Sequence, residues 1–240
     1  MRLATTVTFA CAALAAVLMA AATPLHAQPL PIDFLERAEA APIEIVLPRD
    51  GDTEWAPRPL IVALHGYGSK PEDLLPAFRA LAARVGAVLA VPQAVDPAGS
   101  GFTWDTPAKA DLVVRRSIER ARRRAPVQPG RIVLAGFSQG ASMAYHVALR
   151  HPELFKGVMP MAGRYDETVT PVPSPPPKRW PRFAILCGSA DQGVEHSRRA
   201  AKLLEAAGVP VTLKIWEGVG HRVPQNGLPD LQAAMESLLR

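Results

Sequence analysis

Cysteine is nearly absent from this chain. Two occur in 240 residues, Cys11 and Cys187, which excludes a disulfide-stapled scaffold and any metal site built from cysteines. Aromatic residues are scarce too, at 6%, and the four tryptophans lie far apart at Trp55, Trp104, Trp180 and Trp216. No aromatic carbohydrate-binding module is visible. Glycine, at 17 residues, stays near the usual ~7%, so collagen-like and glycine-rich repeats are excluded. Past the first two dozen residues, no apolar run reaches the roughly 20 residues a membrane span needs. Charged residues make up 20% and apolar residues 48%. Such a chain buries enough surface to offset its ordering entropy, which excludes disorder.

Proline is in excess instead. There are 25, about twice the usual ~5%, so the helices must lie between them. Six fall within residues 171–181. That stretch is expected to be loop or polyproline II, a rigid surface insertion between two parts of one sheet.

The N-terminus carries a targeting pattern. Arg2 is followed by an apolar run over residues 7–22, then Pro24 and Leu25-His26-Ala27. This reads as a secretory signal peptide over residues 1–27, cut after Ala27. It leaves one domain over residues 28–240, exported to the periplasm or the cell exterior, with no membrane span. Cys187 is then the one cysteine left, expected to be buried at the end of an apolar strand.

The net charge is +5. Much of the excess sits in Arg115, Arg116, Arg120, Arg122, Arg123 and Arg124. Val114, Ile118, Ala121 and Ala125 recur among them at helical spacing, so the arginines form the wet face of an amphipathic helix. Neither aromatic interleaving nor a binding motif accompanies them, and no nucleic-acid partner is expected.

Short apolar runs alternate with longer amphipathic ones. Strands are expected at residues 43–47, 60–64, 87–91, 131–135, 157–161, 183–187 and 211–216. Helices are expected at 71–85, 107–125, 139–150, 194–207 and 228–239. Near-continuous Val, Ile, Leu and Ala runs suit buried strands of a mostly parallel sheet. Their alternation with helices predicts an α/β architecture with helices on both faces.

The chemistry centres on Gly136-Phe137-Ser138-Gln139-Gly140. A strand precedes this G-x-S-x-G run and a helix follows it. A serine on such a sharp turn stands exposed above the sheet, and the helix N-terminus favours developing negative charge there. Serine alone is a weak nucleophile and needs a base. His221, in Gly218-Val219-Gly220-His221 after the last strand, can hang over Ser138. An acid must orient the imidazole. Asp191 lies at the carboxyl end of the preceding strand, with Glu195 and Asp166 as rivals. The order Ser138, Asp191, His221 is nucleophile, acid, base. An oxyanion needs backbone donors. These are the N–H of Gln139 and, from Leu64-His65-Gly66-Tyr67-Gly68, the N–H of Tyr67, with Gly68 in reserve. His65 either fixes this loop or lines the pocket with Trp104.

Leu64-His65-Gly66-Tyr67-Gly68-Ser69, Gly136-Phe137-Ser138-Gln139-Gly140-Ala141, residues 188–191 and Gly220-His221 together resemble the phospholipase/carboxylesterase group of α/β-hydrolases, which includes acyl-protein thioesterase-like enzymes. The resemblance covers nearly all of the chain after residue 27. It implies an α/β-hydrolase fold and hydrolysis of carboxylic esters or thioesters, small or polymeric, without metal or organic cofactor. It matches Ser138, Asp191 and His221 to the family's triad, and Tyr67 and Gln139 to its oxyanion donors. Phe102-Thr103-Trp104-Asp105 falls where the family often carries an aromatic-acid stretch near the pocket. Secreted polyhydroxybutyrate-depolymerase-like and feruloyl-esterase-like hydrolases share the triad and leave the substrate open. A serine peptidase on the same fold, and a silent binding protein that keeps it, are the other readings.

Overall fold

Helices alternate with most of the strands, and that alternation builds one large sheet. The computed structural model describes residues 29–48 and 56–240. The cleavage site and signal peptide read from the sequence lie outside the described residues, as does Trp55. In chain order the elements are α1 (Ile32–Ala40), β1 (Ile43–Val46), β2 (Arg58–Leu64), α2 (Pro71–Arg84), β3 (Val88–Pro92), β4 (Asp96–Ala98), β5 (Gly101–Thr103), α3 (Pro107–Arg124) and β6 (Val127–Phe137). Then follow α4 (Gln139–Arg150), β7 (Gly157–Met161), β8 (Arg182–Gly188), α5 (Val194–Ala206), β9 (Val211–Trp216) and α6 (Leu228–Leu239).

The seven-stranded sheet runs β1-β3-β2-β6-β7-β8-β9, and β4 with β5 forms a separate hairpin. Only β1 pairs antiparallel within the large sheet, at its edge beside β3. Alternation along the strands sends side chains to two faces. Leu60, Val62 and Leu64 of β2 join α1, α3, α4 and α5 in one core, while Ile61 and Ala63 join α2 and α6 in the other. This is the α/β-hydrolase architecture, a mostly parallel sheet covered on both faces.

The chain moves outward from β2 to β3, then returns to place β6 on the other side of β2. The strand order therefore reverses between β2 and β6. In open α/β sheets, ligands bind in the crevice above such a reversal, outside the carboxyl ends of the strands. Residues 65–69 and Ser138 emerge at that point.

Several details depart from the sequence reading. The nine-residue helix α1 and the β4–β5 hairpin were not expected. Strand β6 starts at Val127, not Arg131: Val127 already pairs with Arg58, and the register against β2 then shifts before Leu60 meets Ile132. Two of the six clustered arginines are not simply wet. Arg116 pairs with the Glu39 carboxylate, and Arg120 donates to the Glu39 carbonyl at 2.5 Å. They hold α1 against α3, so that Phe34 is 1% exposed. The proline-rich residues 171–181 contain no helix or strand and are mostly exposed or half-buried. Cys187 is fully buried. Among the described residues, no helix is long and apolar enough to cross a membrane.

Candidate active site

Strand β6 delivers Ser138 on a turn that only small neighbours permit. Ser138 has φ 55 and ψ −119, a conformation disfavoured for a non-glycine residue. Its N–H donates to the Met161 carbonyl at 2.9 Å, and its carbonyl accepts from Ser142 at 3.1 Å. The turn is thereby held from both sides. A Cβ on Gly136 would collide with the backbone of Gly140, and one on Gly140 with the carbonyls of Leu64 and His65. Both motif glycines are required because strand, turn and helix approach at backbone distance.

Asp191 follows β8. Its side chain is 3% exposed. Oδ1 accepts the Gly193 N–H at 2.7 Å, and Oδ2 faces His221 Nδ1 at 2.7 Å. A carboxylate oxygen accepts, so Nδ1 carries the proton and Nε2 keeps its lone pair. That lone pair points to Ser138 Oγ, 2.9 Å away. The His221 ring leans on Phe137 at 5.0 Å between centroids, and the His221 side chain remains 49% exposed. Serine, histidine and aspartate are thus joined in one hydrogen-bonded line above the strand ends. The rivals face elsewhere. Asp166 is held by Thr168 and Arg164, and Glu195 pairs with Arg198 on the exposed side of α5.

A second aspartate–histidine contact, Asp111 with His151 at 3.0 Å, lies where α3 meets the end of α4. Ser117 of α3 is fully buried, and its hydroxyl donates to the Val113 carbonyl one turn back at 2.7 Å. That serine has neither an elbow nor an exposed Oγ.

The residues expected to supply the oxyanion donors lie where the strand order reverses, Tyr67 on the loop after β2 and Gln139 as the first residue of α4. Neither the Tyr67 N–H nor the Gln139 N–H has a hydrogen-bond partner among the described residues. The reserve donor is excluded, because the Gly68 N–H is engaged by the Phe102 carbonyl at 2.9 Å. The Tyr67 side chain is 67% exposed. A cavity of about 550 Å³ opens beside His221 and Asp191, lined also by Gly163, Arg164, Gln192 and His196.

His65 and Trp104 do not line this pocket, a correction to the sequence reading. His65 is fully buried, and Trp104 is 2% exposed. His65 Nε2 accepts the Ala94 N–H at 3.0 Å, so its Nδ1 must be the protonated nitrogen, and it donates to the Gly66 carbonyl at 2.8 Å. The Trp104 indole N–H donates to the His65 carbonyl at 2.7 Å. Both residues act beneath the surface and shape the loop that carries Tyr67. His65 fixing that loop was the sequence alternative, and the geometry agrees with it.

Burial holds His65 below the ordinary histidine range, against smaller upward pulls from the Gly66 carbonyl, Asp73 and Glu72. The unfolded chain therefore takes up this proton first as the pH falls. The stability that His65 contributes is complete above the unfolded value of about 6.5 and is lost progressively below it. In His65→Gln an amide oxygen can still accept from Ala94, but nothing titrates. Melting temperatures of both proteins at pH 7.5 and 5.5 should show a smaller fall for the variant. Equal falls would contradict the assignment.

Among the described residues, no cluster of three or more His, Cys, Asp or Glu side chains lies where it could hold a metal ion.

The comparisons with known proteins agree with this geometry. The phospholipase/carboxylesterase family model matches residues 107–239, more than half of the chain. A protein of Nocardia uniformis subsp. tsuyamanensis named as an esterase, NocK, is 31% identical over 146 residues, which are 56% of this chain and 40% of that one. This chain therefore spans less than half the length of that relative. The crystal structure of esterase PE8 is similar with a TM-score of 0.67 at 25% identity, covering 83% of this chain and 99% of that one. A carboxylesterase from Mesorhizobium loti shares the fold with a TM-score of 0.65 at 19% identity, covering 87% of this chain and 98% of that one. With its matched region spanning the serine elbow, Asp191 and His221, this chain belongs to the phospholipase/carboxylesterase family of α/β-hydrolases.

Proposed function

We propose that this protein is a serine esterase that hydrolyses carboxylic esters through an acyl-enzyme. The single observation that carries the reading is the line Ser138 Oγ, His221 Nε2, His221 Nδ1, Asp191 Oδ2, with contacts of 2.9 and 2.7 Å. Ser138 Oγ attacks the ester carbonyl carbon while its proton passes to His221 Nε2. Asp191 holds the imidazole in the accepting tautomer and stabilises the imidazolium that forms. The N–H groups of Tyr67 and Gln139 receive the oxyanion, assisted by the N-terminus of α4. The alcohol leaves with the proton from His221. Water, deprotonated by the same nitrogen, then attacks the acyl carbon and releases the acid with Ser138 restored.

Labelling with a fluorophosphonate probe tests the nucleophile, and a panel of esters, thioesters and amides tests the bond cleaved. The expected result is one label, lost in Ser138→Ala, with ester turnover exceeding amide turnover. Absence of labelling would sink the reading. Amide turnover above ester turnover would favour a peptidase.

We further propose export. Arg2, the apolar run over residues 7–22 and the small-residue site ending at Ala27 support it. N-terminal sequencing of protein recovered outside the cytoplasm should begin at or near Gln28, and an intact Met1 would refute the cleavage.

A further inference from the structure

The hairpin β4–β5 and the two residues after β5 take no part in proton transfer, yet they touch both oxyanion loops. The parallel ladder between β2 and β6 ends at Leu64 and Gly136. The two donor residues, Tyr67 and Gln139, lie beyond it on separate segments. The hairpin spans that interval. On one side, Gly68 N–H donates to the Phe102 carbonyl at 2.9 Å, and Phe102 N–H donates to the Ser69 carbonyl at 3.1 Å. The approach is so close that a Cβ on Gly101 would stand 2.5 Å from the carbonyl oxygens of Gly68 and Ser69. The Trp104 indole holds His65 from beneath.

On the other side, the next residues reach the Gln139 side chain. Gln139 Nε2 donates to Thr103 Oγ1 at 2.8 Å, and Gln139 Oε1 accepts from Trp104 N–H at 3.2 Å. The Thr103 hydroxyl also accepts from Asp105 N–H at 3.3 Å. Asp105 has φ 56, a left-handed backbone that turns the chain at this point. The outer end of the hairpin is anchored as well. Lys109 Nζ donates to Asp96 and to Asp105 at 2.7 Å each, and Arg37 donates to Asp96 at 3.0 Å.

We propose that the β4–β5 hairpin, with Thr103 and Trp104, is a strut that sets the separation of the two oxyanion N–H donors, and that Thr103 is its positioning residue. The proposal rests on the esterase reading. An oxyanion hole works when both donors sit about 2.7–3.1 Å from the oxygen of the transition state. The ties of Gln139 to Thr103 and of Gly68 to Phe102 add to the direct packing of Gly140 against Leu64 and His65 in holding the two donor segments in place. Since the strut aims groups used in the transition state, loosening it lowers kcat more than it changes KM.

The test is Thr103→Val, which keeps the side-chain shape and removes the hydroxyl, beside Thr103→Ser, which restores it. A misplacement near 1 Å can cost about 10²-fold. Thr103→Val should lose about 10–100-fold in kcat with KM within about twofold, and its inhibition constant for a trifluoromethyl ketone should weaken by the same factor as kcat/KM. Thr103→Ser should recover most of the loss, and melting temperatures should be close across the series. Should Thr103→Val fail to fold, Trp104→Phe loosens the strut from its other end and should give the same kcat-selective loss. Unchanged kcat in a folded variant, a loss confined to KM, or a serine variant as weak as valine would overturn the strut while leaving the esterase reading intact. A wild-type protein inert to every ester and to the fluorophosphonate probe would remove that reading and the strut with it.

Discussion

Ser138→Ala should leave a folded protein whose kcat is lower by roughly 10³–10⁶-fold. The whole covalent route depends on one oxygen, Oγ, at 2.9 Å from His221 Nε2. Without it no acyl-enzyme forms, and what remains is attack by water polarised at the oxyanion N–H groups. The fold should hardly notice the change. The elbow is held by backbone bonds, Ser138 N–H to Met161 and Ser142 N–H to Ser138, and alanine retains both. The strain at φ 55 persists in alanine, so no relief shifts the turn. His221 loses one partner but keeps Asp191, and at 49% side-chain exposure water can replace the missing hydroxyl. Steady-state turnover with the best ester, together with a melting curve, checks both halves. Near-wild-type kcat would end the triad assignment, and a collapsed melting temperature would leave the loss attributable to unfolding.

The elements that build this site were legible because they follow strong local rules. Buried strands such as β2, β7 and β8 are continuous apolar runs, and helices α4 and α6 begin and end where the apolar spacing does. Ser138, Asp191 and His221 were legible because each ends a strand or follows one in a fixed order. What escaped the sequence depends on distant partners. Helix α1 has nine residues, starts after Pro31 without a side-chain cap, and buries only Phe34 and Ala38. Its stripe is too narrow to announce a helix, and it persists through Arg116 and Arg120, some eighty residues away. The β4–β5 strands are three residues each, too short to show alternation. Position in the chain does not tell whether Trp104 and His65 face a pocket or support one. That was decided by hydrogen bonds to Ala94 and between the two residues, and no periodicity encodes those.

Asp191→Asn should keep the fold and cut kcat by about 10⁴-fold. The size follows from how this carboxylate is shared. Oδ1 already accepts the Gly193 N–H at 2.7 Å, and that donor cannot reverse its role. In asparagine the amide oxygen must therefore stay with Gly193, which turns the NH₂ towards His221 Nδ1. Two donors cannot face each other, so the imidazole must place its proton on Nε2 and present a bare Nδ1 to the amide. Nε2–H then points at Ser138 Oγ and cannot accept its proton. Base and nucleophile remain in contact, but the direction of the hydrogen bond is reversed. Binding surfaces are untouched, so KM should change far less than kcat. Asp166→Asn and Glu195→Gln serve as controls, because Asp166 is bound to Thr168 and Arg164 and Glu195 to Arg198. Both should stay within about twofold of wild type, because neither carboxylate has a hydrogen bond or ion pair with Ser138, His221 or Asp191. If Glu195→Gln were the crippling change and Asp191→Asn the mild one, the acid of the triad would be misassigned.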